Sequence, residues 1–498
     1  MHFALTEDLQ QEALRILFRE QAGDAFRAER GFIGIIHAGN GEVRRTLLLR
    51  SIVSQEERWV TETPDGLKFS AHYFSRALDL VADSPKGAGI LLVHCHPGPE
   101  GEFPRPPRPS HPDLHYERLL LSHASRALPE TSPVAAGIVS PSGMWRIREY
   151  VFSRQLRAPR GLFRKSAEVY QDAMAIRILG DQGLFLQRDS SSTASTFPNE
   201  NQDSTLRLWG EEGQKILANV RVGIVGVGGV GSILAEFLAR LGVGELVLLD
   251  YDLLKKENFN RALGARLSDI GKPKVKYVGR VARNSATSKE FRVRALRGSS
   301  AERSGLAAML DCDIVLNASD SAPGRQVLDH ASYAHTFPLV DGGTVFAVRS
   351  TGGDITGKSQ ITEAGPGRPC LECSGVYSRE EATLAREEPE IQGPTPYFRS
   401  GNTQTQDHTP RAPSVISNNG LVASVMVQRF LKTILGFPPK HALGQQRYYV
   451  DQGEMLWGPI RKCQDNCPKA SWIGLGDSHP VPVGIDPFWK RMQNQDGR

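Results

Sequence analysis

The feature that most constrains the fold is a glycine-rich turn between a strand pattern and a helix pattern. VRVGIVG runs into Gly226-Val227-Gly228-Gly229-Val230-Gly231-Ser232, and the helix SILAEFLARLG follows. In that helix Ile233, Leu234, Phe237, Leu238 and Leu241 recur at helical spacing. Glycine lets the backbone approach an anion closely, and the helix N-terminus supplies unpaired N–H donors and a positive dipole suited to phosphate. Around the turn, LRLWGEEGQKIL reads as a helix, while ELVLLD (ending in Asp250), DIVLNASD and FPLVDGG read as strands. Strands alternating with helices predict an α/β domain with a Rossmann-like, doubly wound, mostly parallel sheet. The turn alone leaves a dinucleotide site open, because Asp250, roughly 20 residues on, suits a ribose hydroxyl there too.

The residues downstream separate the two cases. Asp250-Tyr-Asp252 is followed by Glu257-Asn258-Phe-Asn260-Arg261 and then by Asp269-Ile-Gly271-Lys272-Pro-Lys274. Hydride transfer has no need of an Arg and a Lys aimed at phosphates. Cleavage of ATP between its α and β phosphates needs both, to neutralise charge building on pyrophosphate. Asp320, at the end of DIVLNASD, suits a magnesium ligand, since hard carboxylate oxygen bridges to phosphate-bound Mg²⁺. Asp252 and Glu257 also read as solvated surface acids.

Together GVGGVGS, the acidic strand end, ENFNR, DIGKPK and the SD before Arg325 resemble ubiquitin-activating enzymes and their bacterial relatives, the ThiF and MoeB proteins, over about 203–470. The resemblance implies adenylation of the C-terminal glycine of a ubiquitin-like protein. Gly226, Gly228, Gly229, Gly231, Asp250, Asp252, Asn258, Arg261, Lys274 and Asp320 would hold ATP and Mg²⁺, with Arg261 and Lys274 catalytic. It also implies a homodimer in which Arg207 reaches the partner's site, although LRLWG here departs from the usual Arg-Tyr-x-Arg. Activation of a sulfur carrier for thiamin, molybdopterin or cysteine synthesis shares this chemistry, and a non-catalytic scaffold for nucleotide and a ubiquitin-like protein is the third reading.

Four of the six cysteines form two close pairs, Cys370/Cys373 and Cys463/Cys467. Two such pairs supply the four thiolates that tetrahedral Zn²⁺ prefers in a closed structural site, and many ThiF-like proteins carry such a zinc in equivalent places. The crossover segment at about 374–412, where relatives place a catalytic cysteine, contains none. The expectation is therefore an acyl-adenylate passed directly to another protein, such as a conjugating enzyme, or to a hydroxyl.

In the N-terminal part, the strand GAGILLVH ends in His94-Cys95-His96-Pro97, and Ser110-His111-Pro112-Asp113 opens the helix DLHYERLLLSHASRAL. Two histidines one residue apart at a strand end point the same way, and an Asp at a helix start can complete three ligands, leaving a fourth position for water. This resembles the JAB/JAMM metalloprotease motif, His-x-His-Pro…Ser-x-x-Asp, over about 20–155, with GPEGEFPRPPRP inserted. The resemblance implies a catalytic zinc on His94, His96 and Asp113, Ser110 at the tetrahedral intermediate, and Glu29 as general base. His111, His115 and His123 read as helix-surface residues.

The 498 residues allow two or three domains. Boundaries are expected at 1–155 for the peptidase-like domain, 156–204 for a bridging helix, short strand and Ser/Thr-rich linker, and 205–498 for the adenylating domain. A net charge of +5 with scattered Lys and Arg gives no nucleic-acid face. No apolar stretch approaches the ~20 residues that span a bilayer, and no signal-peptide pattern opens the chain, so a cytoplasmic protein is expected.

Overall fold

The computed structural model describes residues 1–18, 29–55, 59–63, 66–96, 108–152, 169–181, 183–188, 200–348, 355–387, 414–437, 444–458, 463–484, 486 and 489–490. Two large sheets organise them. The first has nine strands: β1 (His2–Thr6), β2 (Gly31–Asn40), β3 (Arg45–Ile52), β6 (Gly89–Cys95), β7 (Val134–Val139), β8 (Trp145–Val151), β9 (Val169–Asp172), β10 (Ala175–Gly180) and β11 (Gly183–Arg188), in the order β11-β10-β1-β3-β2-β6-β7-β8-β9. A separate hairpin, β4 (Val60–Thr63) and β5 (Gly66–Phe69), stands beside it. Helix α1 (Glu7–Leu17) covers one face over Phe3, Leu47, Leu91 and Val93, while α2 (Ala71–Ala82) and α3 (His111–Ala127) cover the other over Ile33, Ile90, Leu92 and Ala136. Side chains alternate faces along each strand, so β6 feeds Leu91 and Val93 to one core and Ile90 and Leu92 to the other.

The second sheet has eight strands in the order β14-β13-β12-β15-β16-β17-β18-β19. Its strands are β12 (Arg221–Val225), β13 (Glu245–Leu249), β14 (Arg292–Leu296), β15 (Ile314–Asn317), β16 (Leu339–Val348), β17 (Ile355–Ala364), β18 (Gln445–Tyr449) and β19 (Glu454–Trp457). The first five are parallel and the last three antiparallel. One face packs on α4 (Asp203–Asn219), α5 (Gly229–Arg240) and α6 (Lys274–Ser285), through residues such as Leu217, Leu234 and Val278. The other packs on α7 (Arg303–Leu310), α8 (Ala322–Ala334) and α9 (Arg379–Glu387), through Met309, Val327 and Ala382. Helix α10 (Ile416–Leu435) joins the first layer, and α11 (Lys469–Trp472) lies beyond the last strand. This is the doubly wound, mostly parallel sheet expected. No described helix is long and apolar enough to cross a membrane.

One expectation fails. The described part of 166–179, read as a bridging helix, forms strands β9 and β10, and β11 completes the edge of the first sheet. The physical reason lies on both faces of β10. Ile176 and Ile178 enter the first core, while Leu179 joins the core of the second sheet and Arg177 donates to the carbonyls of Cys312 and His335. A helix buries one stripe, whereas a strand between two cores buries both sets. The first sheet therefore runs past residue 155 to Arg188, and most of the Ser/Thr-rich segment lies outside the described residues.

The two sheets are joined by buried polar contacts as well. Arg44 (8% exposed) meets Asp313 (1%) at 2.8 Å, and Arg188 meets the same carboxylate at 2.8 Å. The β2–β3 turn also donates the N–H groups of Val43 and Arg44 to Asp311.

Candidate functional site

At the end of β12 the chain enters α5 through Gly226, whose φ of 79° favours glycine. A Cβ there would lie 2.8 Å from the Ser319 nitrogen, and one on Gly231 would lie 1.9 Å from the Gly226 carbonyl oxygen. On Gly228 a Cβ would meet nothing within 4 Å, so this part of the turn faces open space with the α5 N-terminus behind it.

The expected residues gather around this opening. Asp250 accepts the Val227 N–H at 2.8 Å and the Asp252 N–H at 2.8 Å, which ties the end of β13 to the glycine turn. Burial pushes the Asp250 carboxyl up, and the Lys274 charge partly offsets that. Lys274, the first residue of α6, places Nζ 2.6 Å from Asp252. Burial would lower its ammonium pKa, but Asp250 and Asp252 hold it well above its usual range. The Arg261 side chain passes 3.5 Å from the Cβ position of Gly229 and donates to the Glu257 carbonyl and Asn260. Asn258 accepts the Lys255 N–H and so shapes the loop that carries Arg261. Asp320 is exposed just after β15. Arg207 is paired with Asp203 at 2.8 Å on an exposed face of α4.

Sequence reasoning missed two supports of this site. Asn419, 1% exposed on α10, reaches the Gly229 position, and its only sequence signal is an amide inside an apolar helix. Asn317 and Arg325 both donate to the buried Asp341, at 2.5 and 3.0 Å, which braces the loop carrying Asp320.

A second cluster closes the far end of the first sheet. His94 and His96 approach with their Nε2 atoms 3.2 Å apart, and Asp113 lies 3.6 Å from His94 and 3.3 Å from His96. Tetrahedral zinc at ~2.05 Å from each ligand would set such atoms ~3.3 Å apart, so the three residues fit a metal. Burial opposes ionisation of Asp113, but hydrogen bonds from the two histidines hold its carboxyl well below the usual range. Cys95, between them, points to the opposite face, where burial pushes its thiol up to about 11. Ser110 is the N-cap of α3: its Oγ accepts the Asp113 N–H at 3.2 Å, and its own N–H donates to Asp113 at 2.6 Å. Glu29 lies two residues before Gly31, which stands opposite His94; burial opposes the charged form of His96, but Asp113, with a smaller contribution from Glu29, raises its pKa.

One turn along α3, the buried Glu117 is held by Arg148 at 2.6 Å and by the Tyr150 hydroxyl at 2.6 Å. Sequence reasoning missed this anchor too. Nothing in the sequence sets Glu117 apart from a surface acid.

The four paired cysteines also converge, their sulfurs lying within 4.8 Å of one another. Cys370 and Cys467 are 3.9 Å apart, close to the ~3.8 Å edge of a tetrahedron with Zn–S near 2.3 Å. The group could hold a zinc ion.

Residues 201–469 match the model of the ThiF family. SAMP-activating enzyme E1 of Haloferax volcanii is 30% identical over 175 residues, covering 35% of this chain and 60% of that protein. Molybdopterin-synthase adenylyltransferase of Escherichia coli is 30% identical over 184 residues, covering 36% and 69%. tRNA threonylcarbamoyladenosine dehydratase of Bacillus subtilis is 53% identical over 66 residues, covering 13% and 26%. The chain thus spans less than two thirds of the length of the first and third of these relatives. Among solved structures, E. coli MccB with ATP aligns at a TM-score of 0.41 and 16% identity, over 54% of this chain and 73% of that one, too loosely to assign residues. On the matched span and the glycine-turn architecture, this chain belongs to the ThiF family.

Proposed function

We propose that this chain adenylates the C-terminal glycine carboxylate of a ubiquitin-like or sulfur-carrier protein, and that its N-terminal half is a JAB/JAMM-type zinc peptidase acting on the same kind of tail. The observation that carries the first part is the convergence of Arg261, Lys274 and Asp320 on the open side of the glycine turn. The partner's carboxylate oxygen attacks the α-phosphorus of ATP, the bond to the bridging oxygen breaks, and pyrophosphate leaves with its electron pair. Arg261 and Lys274 neutralise that leaving charge, and the α5 N-terminus binds phosphate oxygens. Mg²⁺, held by Asp320, would add charge neutralisation when bound. Asp252 holds the Lys274 ammonium in place before ATP arrives.

The relatives' names point to both kinds of partner, a SAMP protein and molybdopterin synthase. Cys95 and Cys312 are buried with thiol pKa values pushed up by that burial. They are therefore poor thioester carriers. Handoff of the acyl-adenylate to a conjugating enzyme or other acceptor follows. A homodimer through the adenylating half is part of the same reading.

In the N-terminal half, His94, His96 and Asp113 would hold a zinc that supplies a water activated near neutral pH. Glu29 would serve as the base for such a water, and the Ser110 hydroxyl would be a hydrogen-bond donor to the carbonyl oxygen under attack. The peptidase would expose the terminal glycine of a precursor or remove the partner from targets. ATP–pyrophosphate exchange in the presence of candidate glycine-tailed proteins tests the main claim. Exchange that depends on one such protein supports it, and no exchange with any of them favours a nucleotide-binding scaffold instead.

A further inference from the structure

Both candidate sites lie at the ends of their sheets, and strand register identifies which ends. His94 stands opposite Gly31, the first residue of β2. The other end of β2, with the turn beyond it, is what meets the second half. A Cβ on Gly39 would strike the His335 ring, Asn40 donates to Asp477, and Val43 and Arg44 donate to Asp311. The ten residues of β2 put ~30 Å between these ends, at ~3.3 Å per residue.

The second sheet has the same polarity. Asp311 and Asp313 precede β15, and Asp313 accepts the N–H of Arg221 at the start of β12. The glycine turn, Asp250 and Asp320 follow the opposite ends of β12, β13 and β15. Helix α10 is a second ruler. Asn419 in its first turn lies against Gly229, whereas the Thr433 carbonyl near its end lies against Gly183 of the first sheet. At ~1.5 Å per residue those points are roughly 20 Å apart.

The seam between the halves is not built as a hinge. Asp313 takes both Arg44 and Arg188, and Leu179 and Leu184 lie in the apolar core of the second half. Packed cores have discrete arrangements and do not deform continuously.

We propose that each chain holds its two sites facing away from one another across this rigid seam. A tail freed at the peptidase site then reaches the adenylating site only by leaving the protein, and both sites can hold a glycine-tailed partner at once. The proposal rests on the reading of the two sites given above. An extended tail of about six residues reaches ~20 Å, which is no more than the shorter of the two legs.

Pulsed dipolar EPR on the full chain tests this, with Cu²⁺ seated at His94, His96 and Asp113, zinc kept by the four cysteines, and ATP spin-labelled on its ribose. The expected result is a narrow distance distribution lying wholly beyond ~25 Å. A distance below ~25 Å, or a distribution broad enough to include one, overturns the separation. The doubly substituted chain His94→Ala, His96→Ala must lose the Cu²⁺–nitroxide coupling. If the coupling persists there, or labelled ATP does not bind the parent chain, the site assignments fail, and the proposal fails with them.

Discussion

Lys274 shows how a single side chain can be read for chemistry. It sits 12% exposed, its ammonium is held by two carboxylates, and it starts a helix beside the glycine turn. Replacing it by Met removes a charge from the pyrophosphate leaving group without opening a cavity. Pyrophosphate exchange should then fall by ~10²–10³-fold while ATP binding changes far less. Equal losses in both would make Lys274 an ordinary binding group. Glu117 acts at one remove. It shares a face of α3 with Asp113, and its two oxygens are taken by Arg148 and Tyr150. Glu117→Gln leaves the Arg148 charge buried without its counter-ion, and Asp113 loses the anchor that aims it. Zinc affinity at the His94 site should drop ~10–100-fold, read by zinc titration. Unchanged affinity in a chain that still folds would show that the anchor does not position the ligand.

At the scale of elements, what was legible in the sequence was whatever depends on local pattern. The strand–glycine–helix unit, the His-x-His strand end and the Ser-x-x-Asp start of α3 each carry their signal within a few residues. Ser110 and Asp113 also complete a reciprocal cap, a structural role beside the catalytic and ligand roles that the sequence reading gave them. Strand β10 was not legible, because its hydrophobicity answers to two cores that lie far apart in the chain, and β9 is an exposed edge strand that no buried pattern marks. Asn419 and Asp341 were hidden for the same reason, their roles being set by contacts across the fold. The cysteine pairs make an element-level prediction. The second pair precedes the segment 472–479, in which Trp472 and His479 pack on His330, Ser478 meets His37 of the first sheet, and the Ile473 carbonyl accepts from Arg50. Cys467→Ser should therefore lower bound zinc by one equivalent and reduce the melting temperature by roughly 5 °C. Metal analysis and a thermal melt check this, and a chain that keeps both zinc and melting point would remove the structural site.

For the whole molecule, the seam carries an acid sensitivity. His37 is driven down to about 4 by burial and by Arg50, and His335 to about 3 by burial and by Arg177. His2 is driven to about 2 by burial and by Arg44. Each folded value lies below the unfolded ~6.5, so the unfolded chain takes up the proton first. Their contribution is thus complete above pH ~6.5 and declines as pH falls through the window towards 4, by up to ~1.4 kcal/mol per histidine per pH unit. The urea midpoint should be lower at pH 5.5 than at pH 7.5, and a midpoint that does not move would refute the coupling of these histidines to stability. The hairpin of β10 and β11 has a practical corollary for anyone who would dissect this chain. Its leucines are shared property: a fragment starting at α4 loses Leu179 and Leu184 from the core to which Phe430 and Leu431 of α10 also belong, and a fragment ending at Arg188 carries those leucines into water. Scissors at the serine-rich stretch would yield two sticky pieces, so either chemistry is best assayed by silencing the other in the uncut protein.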